Sequence, residues 1–475
     1  MGFYYIAFAI AVTCALVVWL LKERSLYVLF LATYTHSFVI PFLYTHGIAG
    51  KELARGLLVL KDVLLLELFA WCAVTLFTRF RPFSLRPIKP LLLLTAYCGF
   101  RGLVGFAFLD DEWGKVVFRM KGICLPLEIL TVVVVLTALH PEFGKRFLRN
   151  MTYLLSVSAA VALAIFFFAG RDFFIQNANI AEYVADVKGD VETEQDFDLG
   201  LPGAATLGAR AEAFADIASF RAVGTFGDGL TLSFQMATAV LLLLFYFPKK
   251  PLTWLMLAVS GGALLFSLSR SGWAFCAVVG TYILLRRRQY VFFLVLGGVG
   301  LALVLLWAPM TKFAIDTAFN ATTSTDTNDA EHSESLRSFY IRGFSDPGNI
   351  VGKGMSMEAR AITESGYAYL LEHFGLLAYV SFLWFCIALY RQFGAAGSRA
   401  DPLMLLAQGI PLGILVVMHF SQYPFAFTQF ISLWYIVGLC LSAYLLPKTN
   451  SRRELAQPRR QAPLEEISLG PSLAS

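Results

Sequence analysis

Runs of roughly 18 to 25 apolar residues recur along the whole chain. Each is long enough to cross a hydrocarbon core of about 30 Å as a helix. Backbone polar groups in lipid find no water, so a segment of this kind satisfies them internally by coiling. Of 475 residues, 57% are hydrophobic and only 15% charged, too few charges to cover a water-soluble surface. The expected fold class is therefore an all-α polytopic membrane protein of about 12–13 transmembrane helices with two long extracytoplasmic loops.

Thirteen candidate spans can be marked, at about 2–21, 26–45, 56–78, 90–109, 122–139, 151–169, 230–247, 252–268, 271–285, 290–309, 365–390, 403–421 and 425–446. The first carries no basic n-region and no A-x-A site, which predicts a retained helix rather than a signal peptide. With the start outside and the end inside, the strongly basic short linkers share one side: Lys22/Arg24, Arg79 to Lys89, Lys145/Arg146/Arg149, Lys249/Lys250, Arg286 to Arg288, and Arg391/Arg399. That is the positive-inside pattern. It divides the chain into N-terminal helices 1–169, a loop 170–229, central helices 230–309, a large loop 310–364, C-terminal helices 365–446 and a disordered cytoplasmic tail 447–475. The net charge of +5 then records topology and predicts no nucleic-acid partner. The seven cysteines all sit inside apolar runs without metal-ligand spacing, so neither disulfides nor a metal site is expected.

Three segments place arginine on the opposite, outer side, each where a helix begins: Arg221-Ala-Val-Gly-Thr-Phe-Gly-Asp-Gly229, Ser269-Arg270-Ser271-Gly272, and the stretch from Arg337 through Gly352-Lys353-Gly354 to Glu364-Ser365-Gly366-Tyr367. A helix start exposes unpaired N–H groups and partial positive charge. Beside it, a guanidinium fork can grip phosphate oxygens with two parallel bonds. Arg221, Arg270 and Arg337 are thus candidate diphosphate ligands, against the plainer readings of a lipid-phosphate anchor, a snorkelling side chain and a solvated loop residue. Glu364, just before an apolar run, is a candidate base, or else a helix N-cap or first-turn acid. His332 is a rival base, whereas His373 and His419 suit core positions. Lys61, Asp62, Glu67, Arg101 and Glu128 lie within apolar spans and should pair or line a wet cavity. Arg101 could face the same outer cavity, and the linker with Asp110-Asp111-Glu112, Lys115, Arg119 and Lys121 could rim it.

These residues resemble the O-antigen ligase and Wzy-type polysaccharide polymerase superfamily of bacterial membrane glycosyltransferases. The segment from Arg221 looks like its R-x-x-G-T-F-G motif, and Ser269-Arg270-Ser271-Gly272-Trp273 like its S-R-[SG]-G-W turn. Gly352-Lys353-Gly354, then Glu364-Ser365-Gly366-Tyr367, then Glu372-His373-Phe374-Gly375-Leu376 are similar to its G-x-G, H-N-x-Y and E-x-G-L pattern. The resemblance covers roughly residues 221–380 and implies a GT-C-like helical fold in the bacterial inner membrane. It also implies an undecaprenyl-diphosphate-linked glycan as donor, an acceptor glycan, and transfer at the periplasmic face with no metal or other cofactor. Membrane lipids, a chain-length regulator and a flippase are the partners it suggests. Glu364 and Ser365 replace the ligase His-Asn pair, which favours a polymerase over a ligase. A lipid-linked oligosaccharide transporter is the alternative from another class, and would show charges along a midplane path and a repeat relating two halves.

Overall fold

The computed structural model describes residues 2–79, 88–108, 111–169, 222–291, 343–344, 346–355, 365–395, 401–419 and 425–445, with a few isolated positions besides. Most of both long loops, most of the expected span 290–309 and the basic tail lie outside the described residues. Among the described residues there is no β-strand. The long helices are α1 (Gly2–Leu21), α2 (Ser25–Thr45), α3 (Lys51–Arg79), α4 (Lys89–Phe108), α5 (Trp113–Leu139), α6 (Pro141–Ala164), α7 (Gly229–Phe245), α8 (Pro251–Phe266), α9 (Arg270–Arg286), α10 (Leu376–Ala395), α11 (Pro402–Val417) and α12 (Phe427–Leu445).

Among the described residues, five stretches are long and apolar enough to cross a membrane: Tyr5–Thr45, Lys89–Phe108, Trp113–Leu139, Pro141–Ala169 and Leu376–Gly394. Shorter apolar helices accompany them, at Gly229–Phe245, Pro251–Phe266, Ser271–Arg286, Pro402–Val417 and Thr428–Ser442. The outer faces are apolar too: Phe8 is 70% exposed, Trp19 72%, Phe100 65% and Phe168 90%. Apolar surface on this scale needs a cover other than water. The chain is thus an all-α protein with helices suited to a bilayer.

Helices that are apolar all round belong in the centre of such a bundle. α7 is buried along almost its whole length and packs against α6, α8, α9, α11 and α12. α12, buried from Gln429 to Leu441, packs most extensively on α5. A polar chain pins this centre. Tyr34 of α2 donates to Ser432 Oγ at 2.5 Å, Ser432 donates to Gln235 Oε1 of α7 at 2.6 Å, and Gln235 Nε2 donates back to the Gln429 carbonyl at 3.2 Å. Buried polar groups are costly unless bonded, so these contacts fix how α2, α7 and α12 meet.

Three helices begin well before their apolar runs, α3 among them, at Lys51 rather than near 56. α5 starts at Trp113 rather than near 122, and α6 at Pro141 rather than near 151. In α6 the residues Gly144, Phe147, Leu148, Met151, Leu155 and Ala159 are buried at helical spacing, with Lys145, Arg146 and Arg149 on the other face. The basic linker is therefore the amphipathic first half of a helix, which a window of hydrophobicity passes over. In the opposite sense, the expected span 365–390 is broken: a short helix Gly366–Tyr369 and a π-turn Leu370–Phe374 precede α10.

Candidate functional site

Many of the motif segments come together at one end of the bundle. The approach to α7 turns on Gly224, whose φ is 55° and whose missing Cβ would lie 2.6 Å from the Cβ of Ala162. Only glycine allows both the left-handed backbone and that contact with α6. Asp228 then caps α7, accepting from the N–H groups of Leu230 at 2.9 Å and Thr231 at 3.0 Å. The N–H of Ala222 donates to the Phe266 carbonyl at the end of α8 at 3.0 Å. That bond sets the residue after Arg221 beside the turn that leads through Ser269 into α9.

α9 and α11 run antiparallel, since Gly413 packs on Phe275 and Gly409 on Val279 and Tyr282. The first turn of α9 therefore shares an end with Met418, where the third segment docks. Gly366 N–H donates to the Met418 carbonyl at 2.9 Å, Ser365 Oγ to the same oxygen at 3.1 Å, and Tyr367 OH to the Leu415 carbonyl at 2.6 Å. Ser365 caps the short helix through the N–H of Ala368, the capping role that Glu364 was one candidate to fill.

Arg270 opens α9, and its backbone alone is described. Arg221, Arg337, Glu364 and His332 lie outside the described residues.

A second set of side chains is fully visible beside these segments. Arg101 of α4 is 4% exposed. Its Nε donates to the Val351 carbonyl at 3.2 Å and its Nη2 to the Gly352 carbonyl at 2.8 Å. From α5, Arg119 donates to Nδ1 of His373, and the same Nδ1 stands 3.1 Å from the Gly354 carbonyl oxygen. Asp111 accepts from the Met355 N–H at 3.0 Å. The loop 346–355 is thus held from three directions. Its Gly352, with φ 92°, leaves no room for a Cβ, which would lie 2.7 Å from the His373 carbonyl oxygen. At its rim Lys353 pairs with Asp346 at 2.8 Å. That ammonium and the Gly348 N–H hold the Asp346 carboxyl below its ordinary range.

His373 sits in the π-turn ahead of α10. Burial, aided by the Arg119 guanidinium, lowers its pKa to about 4, so the ring is neutral near pH 7. A neutral ring offers one lone pair and one N–H. With Nδ1 accepting from Arg119, the N–H is on Nε2; with Nδ1 donating to Gly354, the lone pair is on Nε2.

Sequence reasoning placed His373 in the core and treated Arg101 and the 110–121 linker as secondary. The structure joins Arg101, Asp111 and Arg119 to the glycine loop. The available signal was an arginine in an apolar run, which seldom occurs without a task. The other charges within helices are partly paired: Lys121 meets Asp62 across α5 and α3 at 2.5 Å, and Lys61 reaches the Leu58 carbonyl at 3.5 Å. Among the described residues no group of three or more His, Cys, Asp or Glu side chains could hold a metal ion. No protein-family model and no curated protein matches the chain.

Proposed function

We propose that the chain is a polytopic glycosyltransferase of the bacterial inner membrane, with a GT-C-like arrangement of a dozen or more spans. In this reading it transfers a glycan from an undecaprenyl-diphosphate-linked repeat unit to an acceptor glycan at the periplasmic face. The observation that carries it is the meeting of three motif flanks at one end of the bundle. Ala222 bonds to Phe266 beside the Ser269 turn, and Ser365 and Gly366 bond to Met418 at the end of α11, alongside the start of α9. Arginines at 221 and 270 borne on those flanks would share one diphosphate.

In the proposed reaction an acceptor hydroxyl attacks C1 of the donor sugar as the bond from C1 to the diphosphate oxygen breaks. The hydroxyl proton passes to Glu364, and the guanidinium groups of Arg221 and Arg270, helped by Arg337, stabilise the charge that grows on the departing diphosphate. Such electrostatic stabilisation contributes several kcal/mol when the donors are fixed in advance, on the order of 3 kcal/mol for each one. A polymerase is favoured over a ligase by Glu364-Ser365 standing where ligases carry His-Asn.

Purified protein supplied with a lipid-diphosphate oligosaccharide should lengthen the glycan and release the carrier diphosphate, and Arg270→Ala should stop both while the protein remains folded. A transporter would do neither. Glycan of unchanged length and yield from the Arg270→Ala protein would remove this residue from the mechanism.

A further inference from the structure

We infer that the cleft between the α1–α2 turn and the start of α6 binds the headgroup of a phosphatidylethanolamine lipid, with Arg24 and Arg146 on its phosphate and Glu23 and Glu142 on its ammonium. The site involves none of the residues of the proposed transfer reaction and does not depend on that reading.

Position is the first ground. α6 is one unbroken helix from Pro141 to Ala164. Its Ala162 packs on the Gly224 turn, whereas Glu142, at its other end, lines the cleft. At about 1.5 Å of rise per residue the two stand about 30 Å apart, the thickness of a hydrocarbon core. The cleft therefore sits at headgroup depth on the side of the bundle opposite the motif segments. Exposed apolar residues lead away from it along both flanking helices: Val28 and Leu31 follow Arg24 into α2, and Tyr153 and Val157 follow Arg146 along α6. Their spacings keep to the helix face that bears each arginine. Acyl chains attached to a headgroup in the cleft thus find apolar surface to lie on.

Charge is the second ground. The cleft has a volume of about 440 Å³, and Glu23, Arg24, Tyr27, His140, Glu142 and Arg146 are among the residues that line it. That volume falls within the range of roughly 300–1,000 Å³ that small-molecule sites occupy. Among the described residues, the side chains of Arg24, Glu142 and Arg146 have no hydrogen-bond or ion-pair partner. Glu142 and Arg146 stand one helical turn apart, a spacing that favours pairing, yet both line the cleft unpaired. Glu23 Oε2 lies 3.7 Å from His140 Nε2. Two guanidinium groups and two carboxylates thus border one space, so a ligand carrying both signs answers them where a purely anionic one meets repulsion. Guanidinium forks match phosphate oxygens, and a primary ammonium donates N–H bonds to carboxylates, which the quaternary choline group cannot do. The aromatic wall is set in advance: Tyr27 packs on Phe143 and Phe147 with ring centroids 5.8 and 4.8 Å away, and its OH accepts from Asn150 Nδ2 at 3.0 Å.

The test uses the full chain in a neutral detergent, with the unfolding midpoint read by tryptophan fluorescence as dioleoyl phosphatidylethanolamine is added. Dioleoyl phosphatidylcholine and phosphatidylglycerol are the comparisons. Phosphatidylethanolamine should raise the midpoint in a saturable way and above either of them. Arg24→Gln, Glu142→Gln and Arg146→Gln should each weaken its apparent affinity about fivefold or more. All three side chains are exposed, so these variants are expected to fold. Lys145→Gln removes a neighbouring exposed charge that does not line the cleft, and should leave the affinity unchanged.

Soluble phosphoethanolamine separates a lipid from a free ligand. It should bind at least about tenfold more weakly, because it leaves the apolar strips uncovered. Equal affinity for the soluble compound would overturn the lipid assignment. The inference is also overturned by an equal shift with phosphatidylcholine or phosphatidylglycerol, by undiminished affinity in the three cleft variants, or by an equal loss in Lys145→Gln.

Discussion

Arg101 and Gly352 stand 251 residues apart in the chain, yet the arginine Nη2 donates to the glycine carbonyl at 2.8 Å. This bond, with its neighbour to Val351, ties the loop before the C-terminal helices to α4. Replacing Arg101 with methionine keeps the bulk and leaves both carbonyls without that donor. The expected cost is about 2–3 kcal/mol, read as a lower unfolding midpoint. A midpoint equal to that of the wild type would mean the loop is held by other contacts.

The pair of Asp62 and Lys121 joins α3 to α5 at 2.5 Å, and Asp62 Oδ1 is buried with no partner. Asp62→Asn or Lys121→Met alone should cost about 2 kcal/mol, below the ~3–5 kcal/mol of a fully buried pair. The discount reflects Lys121, which is 37% exposed. Removing both charges as Asp62→Leu with Lys121→Met should return stability to within about 1 kcal/mol of the wild type. Additive losses in the double variant would show that the two side chains do not act as a pair.

Asp228 caps α7 through two N–H groups and also accepts from Thr231 Oγ1 at 2.7 Å. Asp228→Ala should destabilise by about 1–2 kcal/mol, whereas Asp228→Asn should retain most of the cap. The comparison can be made by thermal unfolding of both proteins side by side. Equal loss in the two would point to the negative charge rather than to the cap.

His373 has a folded-state pKa of about 4 against an ordinary 6.5, because burial and Arg119 disfavour its charged form. A depressed value means that the unfolded chain binds the proton more readily. The contribution is therefore complete above pH 6.5 and is lost as pH falls through about 4. His373→Gln should flatten this part of the stability profile, measured as the unfolding midpoint between pH 8 and pH 4. A variant that keeps the full wild-type slope in that window would locate the titration elsewhere.

Much of the helical plan was legible because hydrophobic length and helix formation are tied together in a low-dielectric medium. α2, α7, α8 and α11 begin within a residue or so of the apolar runs. α6 shows where that reading stops. Its first half carries Lys145, Arg146 and Arg149, and its helical character lies in the periodic burial of Gly144, Phe147, Leu148 and Met151. The break before α10 was equally hidden, since Leu370 and Leu371 are as apolar inside a π-turn as inside a span.

The sequence by itself determined the helical class, the suitability of its helices for lipid and the existence of glycine-rich turns at several helix starts, because each is a property of local chain chemistry. Tertiary structure alone decided that Arg101, Arg119 and His373 share one loop, that Asp62 meets Lys121, and that Ser365 seats on the end of α11. Those contacts join residues far apart in the chain, and nothing in their local spacing encodes a meeting that depends on how whole helices pack.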